Sequence, residues 1–248
     1  MYINPKYLIL RRLHDRFSEV IPEWQGKTAV LIGAGASLTA MQVAQVHAAH
    51  VGGNVMAVAI NDCYLWCDWA DVHYAADAKW HKWHTEGLDK PLLRMTAAQV
   101  REAWATFAGQ KCSIQDSMDG IADDTVHILR NKSYPNHAHG LSRDPQALGT
   151  GWHSGFQALN LAILAGAKTI ILLGFDGKPS QEGRTHFFGE HPSPTNPAVF
   201  EQIRRSFSAA ENEIKELGVR VINCSPGSAI DSFEKMELGE ALRSRRKT

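Results

Sequence analysis

The segment Arg184-Thr185-His186-Phe187-Phe188-Gly189-Glu190-His191-Pro192 carries two histidines and a glutamate within six residues, on a stretch with no helical or strand periodicity. Imidazole titrates near neutral pH, so such a loop suits general acid–base work. His186, Glu190 and His191 are the candidates for proton transfer, and Arg184 is the nearest cation by sequence. The same letters also make a solvated polar loop, and they lack a recognisable metal-ligand spacing. A second candidate is the loop Gly33-Ala34-Gly35-Ala36-Ser37. Gly33 and Gly35 reach backbone angles closed to other residues, so amides there can turn toward a phosphate, while Ser37 can cap the next helix or donate to a ligand. A plain β-to-α turn is also rich in glycine. The loop is not a dinucleotide fingerprint, because the third glycine is absent and Leu38 stands nearby. Nor is it a P-loop, since no Gly-Lys-Ser/Thr follows.

The elements around these residues read as alternating strands and helices. Thr28–Ile32 and Val55–Ile60 are continuous apolar runs, joined by the glycine loop and a helix from Ser37 to about His50 that Gly52-Gly53 ends. Strand, glycine loop, helix, strand is the βαβ unit of a parallel sheet, and continuously apolar strands fit a sheet buried on both faces. Val72–Ala76 predicts a third strand, and 78–120 reads as mostly helical, with Trp80, His81, Trp83 and His84 on an amphipathic face. Thr125–Leu129 predicts a further strand. A helix carrying Phe156, Leu159, Ile163 and Leu164 then leads into the strand Thr169–Leu173, and a last helix, about 198–217, feeds the strand Val219–Asn223. The expected fold is therefore α/β and Rossmann-like, a mostly parallel sheet with helices on both faces and an inserted lid.

In an open parallel sheet, ligands lie outside the C-terminal ends of the strands. Polar residues recur at those ends: Asn61-Asp62, Asp77, Asp176 and Asn223-Cys224-Ser225. Asn61 and Asp62 suit a ribose or a base and equally an Asx turn; Asp176 suits a ligand or the cap of a turn.

Length and composition set limits. The chain has 248 residues, 44% hydrophobic and 21% charged, enough for one large domain with a lid. The expected organisation is a helical extension at 1–26, where Leu8, Leu10, Leu13 and Phe17 recur near helical spacing. A Rossmann-like domain at 27–235 follows, with lid segments near 131–150 and 177–197, and then a basic tail at 236–248. Twenty-six basic residues balance twenty-six acidic ones, which argues against a dedicated nucleic-acid binder. No stretch approaches the roughly 18 to 20 apolar residues of a membrane span. Four sparse cysteines, with no Cys-x-x-Cys pair, read as reduced thiols of a cytoplasmic protein. The oligomeric state is open, a homo-oligomer included.

The order of these motifs resembles the bacterial sialyltransferases of glycosyltransferase family forty-two. It carries Gly33-Ala34-Gly35-Ala36-Ser37-Leu38, Ile60-Asn61, Ser154-Gly155 before a helix, Gly174-Phe175-Asp176, His186 to His191 and Ser225-Pro226-Gly227-Ser228. The same skeleton resembles 6-hydroxymethylpterin diphosphokinase-like domains and small phage-borne proteins of that superfamily. The resemblance implies a cytidine nucleotide held by the glycine loop, Asn61 and Ser154-Gly155, with a base in the histidine segment and no metal. This chain departs from the pattern at Ala36, at Gly151 in place of an arginine, by one extra residue between the histidines, and in having no tyrosine after Tyr134. The expected function is a glycosyltransferase-like enzyme taking a nucleotide-activated donor such as a CMP-linked sugar to an acceptor hydroxyl. It needs no resident cofactor. Gly33, Gly35, Ser37, Asn61, Asp77, Ser154, Gly155, Asp176 and Arg184 form the expected binding set. Two alternatives stand beside it. One is a pyrophosphokinase needing magnesium on carboxylates such as Asp62, Asp77 or Asp176. The other is a non-catalytic nucleotide-binding or phage-associated module.

Overall fold

The computed structural model describes residues 9–13, 15–90, 95–132, 140–188 and 196–244. In chain order it begins with β1 (Leu10–Arg12) and β2 (Ser18–Val20), then β3 (Thr28–Ile32), α1 (Ala40–Val51), β4 (Met56–Ile60) and β5 (Val72–Tyr74). Next come α2 (Ala78–Glu86), α3 (Ala97–Thr106), β6 (Gln110–Ile114), β7 (His127–Asn131) and β8 (Ala147–Leu148). The chain continues with α4 (Ser154–Leu164), β9 (Thr169–Leu173), α5 (Ala198–Glu216), β10 (Arg220–Asn223), β11 (Glu234–Lys235) and α6 (Leu238–Arg243).

Every residue of β3, β4 and β9 is buried, as continuous apolar runs require. They form the middle of a nine-stranded sheet of order β11-β10-β9-β3-β4-β5-β6-β7-β8, in which all neighbouring strands run parallel. Val30 faces Ala57 on one side and Ile171 on the other. On one face Phe156 and Leu159 of α4 pack with Phe207, Ala210 and Ile214 of α5. On the other, Val46 of α1, Trp80 of α2, Trp104 of α3 and Leu238 of α6 close a second core. The fold is thus α/β and Rossmann-like. From β3 the chain runs outward to β8, then returns to place β9 on the opposite side of β3. That reversal opens a crevice at the C-terminal ends of β3 and β9.

Several elements differ from the sequence expectation. The described part of 1–26 is a β-hairpin, not a helix: β1 and β2 pair antiparallel, Leu10 and Val20 turn inward, and Arg11 bonds Glu19 outside. Strands of three residues are too short to print their alternation against a chance helical spacing. The tail is ordered as α6 through Arg243, with Leu238 and Ala241 buried, and only 245–248 lie outside the described residues. In the first expected lid segment, 140–150 is packed against the domain. Leu141 and Leu148 are fully buried, and the Asn160 side chain accepts from Ser142 and Gly149 amides at 2.8 Å each.

The strand β6 was hidden inside the stretch read as helical, because it begins Gln-Lys. Both polar side chains have partners: Lys111 Nζ lies 3.0 Å from Asp123 and 4.3 Å above the Trp104 ring. Gln110 clamps the hairpin. Its Oε1 accepts from the amides of Ile9 and Leu10 at 3.1 Å, and its Nε2 donates to the Leu10 carbonyl at 3.2 Å. Replacing Gln110 by Ala leaves those backbone groups buried and unpaired, so urea denaturation should show a loss of about 2 kcal/mol. Unchanged stability would mean that the hairpin is not held through this side chain.

Candidate functional site

A cleft of about 640 Å³ opens along the C-terminal edge of the sheet. Its walls come from the loops after β3, β4, β5, β6 and β9, the start of α4, the first turn of α5, and Thr185-His186. This is where the topology places a ligand.

At its floor the loops after β3 and β9 are fused. Gly33 N–H donates to Leu173 O at 2.7 Å and Gly35 N–H to Gly174 O at 3.0 Å. A Cβ on Gly35 would lie 2.5 Å from Gly174 O and 2.8 Å from the Asp176 carboxyl carbon, so only glycine allows this approach. The Asp176 carboxylate bonds the Ser37 amide at 2.9 Å and the Ser37 hydroxyl. Burial raises its pKa above the usual carboxylate value, and the Ser37 bonds, Lys178 and the Ala36 amide only partly offset this. Ser37 therefore does not cap α1. Thr39 does, in a reciprocal pairing with Gln42, and the helix starts at Ala40. The amides read as a phosphate cradle are already engaged, those of Gly33 and Gly35 by the Leu173 and Gly174 carbonyls and that of Ser37 by the Asp176 carboxylate.

The remaining binding candidates divide clearly. Gly33, Gly35, Asn61, Asp77, Ser154, Gly155, Asp176 and His186 all line the cleft. Asn61 has φ 52°, and its carbonyl accepts from His73 Nε2 at 3.1 Å. Asp77 caps α2 by accepting from the Lys79 amide at 2.7 Å. Ser154 and Gly155 open α4, whose cap is His153: Nδ1 accepts from the Phe156 amide at 3.2 Å and Nε2 meets Ser206 Oγ at 3.0 Å. His186 Nδ1 lies 2.8 Å from Thr185 Oγ1, and its ring stacks on Phe188 at 5.1 Å. The segment is docked by the Phe187 amide on Ala34 O at 3.0 Å. Arg184 falls outside the lining; it is exposed and 3.6 Å from Glu182. Lys178, by contrast, lines the cleft. Glu190 and His191 lie outside the described residues, as do His137 and His139.

Asp62 faces inward. It accepts from Lys90 Nζ at 2.7 Å, Trp80 Nε1 at 2.8 Å and His84 Nε2 at 3.1 Å, and Tyr64 OH reaches the other nitrogen of His84 at 2.6 Å. Burial alone would raise its pKa, but His84 and Lys90 outweigh that and hold it below the usual carboxylate range. Asp62 is thus engaged in the interior, while Asp77 and Asp176 each hold a backbone amide at the cleft. Among the described residues no group of three or more His, Cys, Asp or Glu is placed to hold a metal ion. The four cysteines are buried and free. No helix among the described residues is long and apolar enough to cross a membrane.

Sequence reasoning missed Trp152, His153, Lys178 and the α5 residues Val199, Phe200 and Ile203, all of which line the cleft. It also missed Asp116, because the strand it follows was not recognised.

No family model matches the sequence, and no curated protein does. Among solved structures, the crystal structure of the enoyl-acyl carrier protein reductase of Bacillus cereus, with NADP+ and indole naphthyridinone, aligns with a TM-score of 0.28 at 14% identity. The alignment covers 88% of this chain and 80% of that one. A likeness of that size carries no argument about the site.

Burial holds His81 and His127 neutral down to about 4, with Arg12 adding to the effect at His127, and His153 down to about 3. The unfolded chain protonates these rings near pH 6.5, so below that pH it binds more protons than the native state. Stability is therefore full above pH 6.5 and falls as the pH drops toward 4, by about 1.4 kcal/mol per pH unit for each such histidine. Denaturation midpoints measured from pH 7 to 4.5 should show this slope. A flat profile would contradict the neutral, buried assignment.

Proposed function

We propose that the cleft takes a nucleotide-linked donor, and that the chain is a glycosyltransferase-like enzyme passing the activated group to an acceptor hydroxyl. One observation carries the reading. The start of α4 at Ser154-Gly155, the Lys178 ammonium, the Asn61 amide and the His186 imidazole all border a single cleft at the switch point of a parallel sheet.

In this reading the phosphate meets the α4 amides and Lys178, because a helix N-terminus and a cation both favour negative charge. The glycine loop shapes the floor and does not bind the anion, since the Leu173 and Gly174 carbonyls take the Gly33 and Gly35 amides and Asp176 takes that of Ser37. Asn61 bonds the ribose. The bond from the transferred carbon to the phosphate oxygen breaks with its electron pair going to phosphate. The acceptor oxygen forms the new bond and gives its proton to His186, whose ring Thr185 orients. Charge growing on the departing phosphate falls to Lys178 and the α4 amides, in place of Arg184. His191 and Glu190 are the alternative bases.

Thermal shifts with CMP, CDP, UDP and ATP, with and without magnesium, test the reading. A ligand at a hundred times its Kd adds about 2.7 kcal/mol, a readily visible shift. A metal-independent shift with CMP or CDP is expected. A shift with ATP and magnesium alone would favour the pyrophosphokinase. Binding without turnover on any donor would favour the phage-associated or otherwise non-catalytic module. No shift with any nucleotide would sink the proposal. His186→Ala and His191→Ala should each leave binding intact, and at least one should slow transfer by roughly 10²- to 10⁴-fold.

A further inference from the structure

Three helix starts border the cleft: Ala78 of α2, Ser154-Gly155 of α4 and Val199-Phe200 of α5. Each presents N–H groups without an intrahelical acceptor and the positive end of a helix dipole. They differ in the charge that the chain itself places there. Asp77 caps α2, its carboxylate accepting from the Lys79 amide at 2.7 Å. Glu201 stands in the first turn of α5. The first turn of α4 holds no acidic residue, and its cap is an imidazole.

Helix caps are most often Ser, Thr, Asp or Asn, and Thr39, Asp77 and Thr96 follow that preference in α1, α2 and α3. His153 caps α4 without charge, and its hydrogen bonds fix which nitrogen holds the proton. Nδ1 accepts from the Phe156 amide at 3.2 Å, so it carries no hydrogen. Nε2 therefore carries it and donates to Ser206 Oγ at 3.0 Å. That oxygen can accept, because its own proton goes to Ile203 O at 2.9 Å. With both nitrogens engaged, the ring is neither a base nor a cation for the ligand. Burial lowers its pKa to about 3, which keeps it neutral near pH 7. A Cβ on Gly155 would lie 3.1 Å from His153 Nδ1, so glycine there lets the capping ring lie against the helix start.

We infer that His153 is a positioning residue that reserves the start of α4 for the anion of the ligand, capping the helix without the negative charge that Asp77 sets at α2. This deepens the nucleotide reading and rests on it. A carboxylate in the place of the imidazole would satisfy the same amide and repel a phosphate beside it.

Calorimetric titration of CDP and of cytidine into wild type, His153→Asn and His153→Asp tests the inference. Asn and Asp cap helices about equally well, so the two variants share the loss of the ring and differ in charge. CDP should bind His153→Asn within about threefold of wild type, and His153→Asp about tenfold or more weakly. Cytidine, which has no phosphate, should bind all three alike. Equal CDP affinity in the two variants, or a loss of cytidine in proportion, would overturn the inference and leave the nucleotide reading standing, since a purely structural cap does not sense the charge. Amide-shift mapping of the wild type with CDP adds a test that does not depend on how the variants fold. Ser154 and Gly155 should move while Ala78 and Lys79 should not, and comparable movement at both helix starts would also overturn the inference. A wild-type protein that binds no CDP would overturn both.

Discussion

The Asp176 carboxylate is the knot that ties this molecule together where it matters for function. It is carried by the loop after β9 and held by the amide and hydroxyl of Ser37 in the loop after β3. These two strands are neighbours in the sheet but are separated in sequence by the whole outward run to β8. Closing their loops on each other sets the floor of the crevice. Glycine at 35 and at 174 is the steric condition, since any Cβ there would enter the facing backbone. A buried carboxylate is costly unless hydrogen-bonded, and the loop amides supply those bonds.

The consequence is a division of labour along the edge of the sheet. A glycine-rich turn after the first strand of the sheet domain is the usual place to seek a phosphate, and here its donors are already used. The neighbouring helix start is differently made. His153 caps α4 through the Phe156 amide, two residues beyond Ser154, so the cap and the cleft use different amides of the same turn. Deeper in, the Asp62–Lys90–His84 network lies beneath the loop that carries Asn61, while His73 supports the Asn61 carbonyl. Truncating one member would strand a buried charge, which is expensive. Such a network makes the cleft wall between β4 and β5 rigid.

Much of this architecture was legible in the letters, and the failures have physical reasons. Strands β3, β4 and β9 are apolar without interruption because both of their faces are covered, and the sequence shows that directly. Strand β6 is just as buried but begins with Gln110 and Lys111, whose polar ends are satisfied by a hairpin and by Asp123. Partners so distant in sequence leave no local trace. The hairpin at 10–20 was mistaken for a helix because three-residue strands carry too little alternation to compete with a coincidental spacing of leucines. In the site, glycines and strand-end polar residues located the cleft. The letters did not tell which of them touch each other, so the Ser37–Asp176 contact was invisible and Arg184 was preferred to Lys178.

The central claim is that the anion of the ligand binds at the start of α4 and not in the glycine loop. Amide chemical-shift mapping of the wild-type protein titrated with CDP tests it most directly. The account predicts the largest changes at the backbone amides of Ser154 and Gly155 and at the side-chain amide of Asn61, with Ala36 and Ser37 little moved. Large shifts at Ala36 and Ser37, with Ser154 and Gly155 unchanged, would show that the ligand displaces Asp176 and would contradict it.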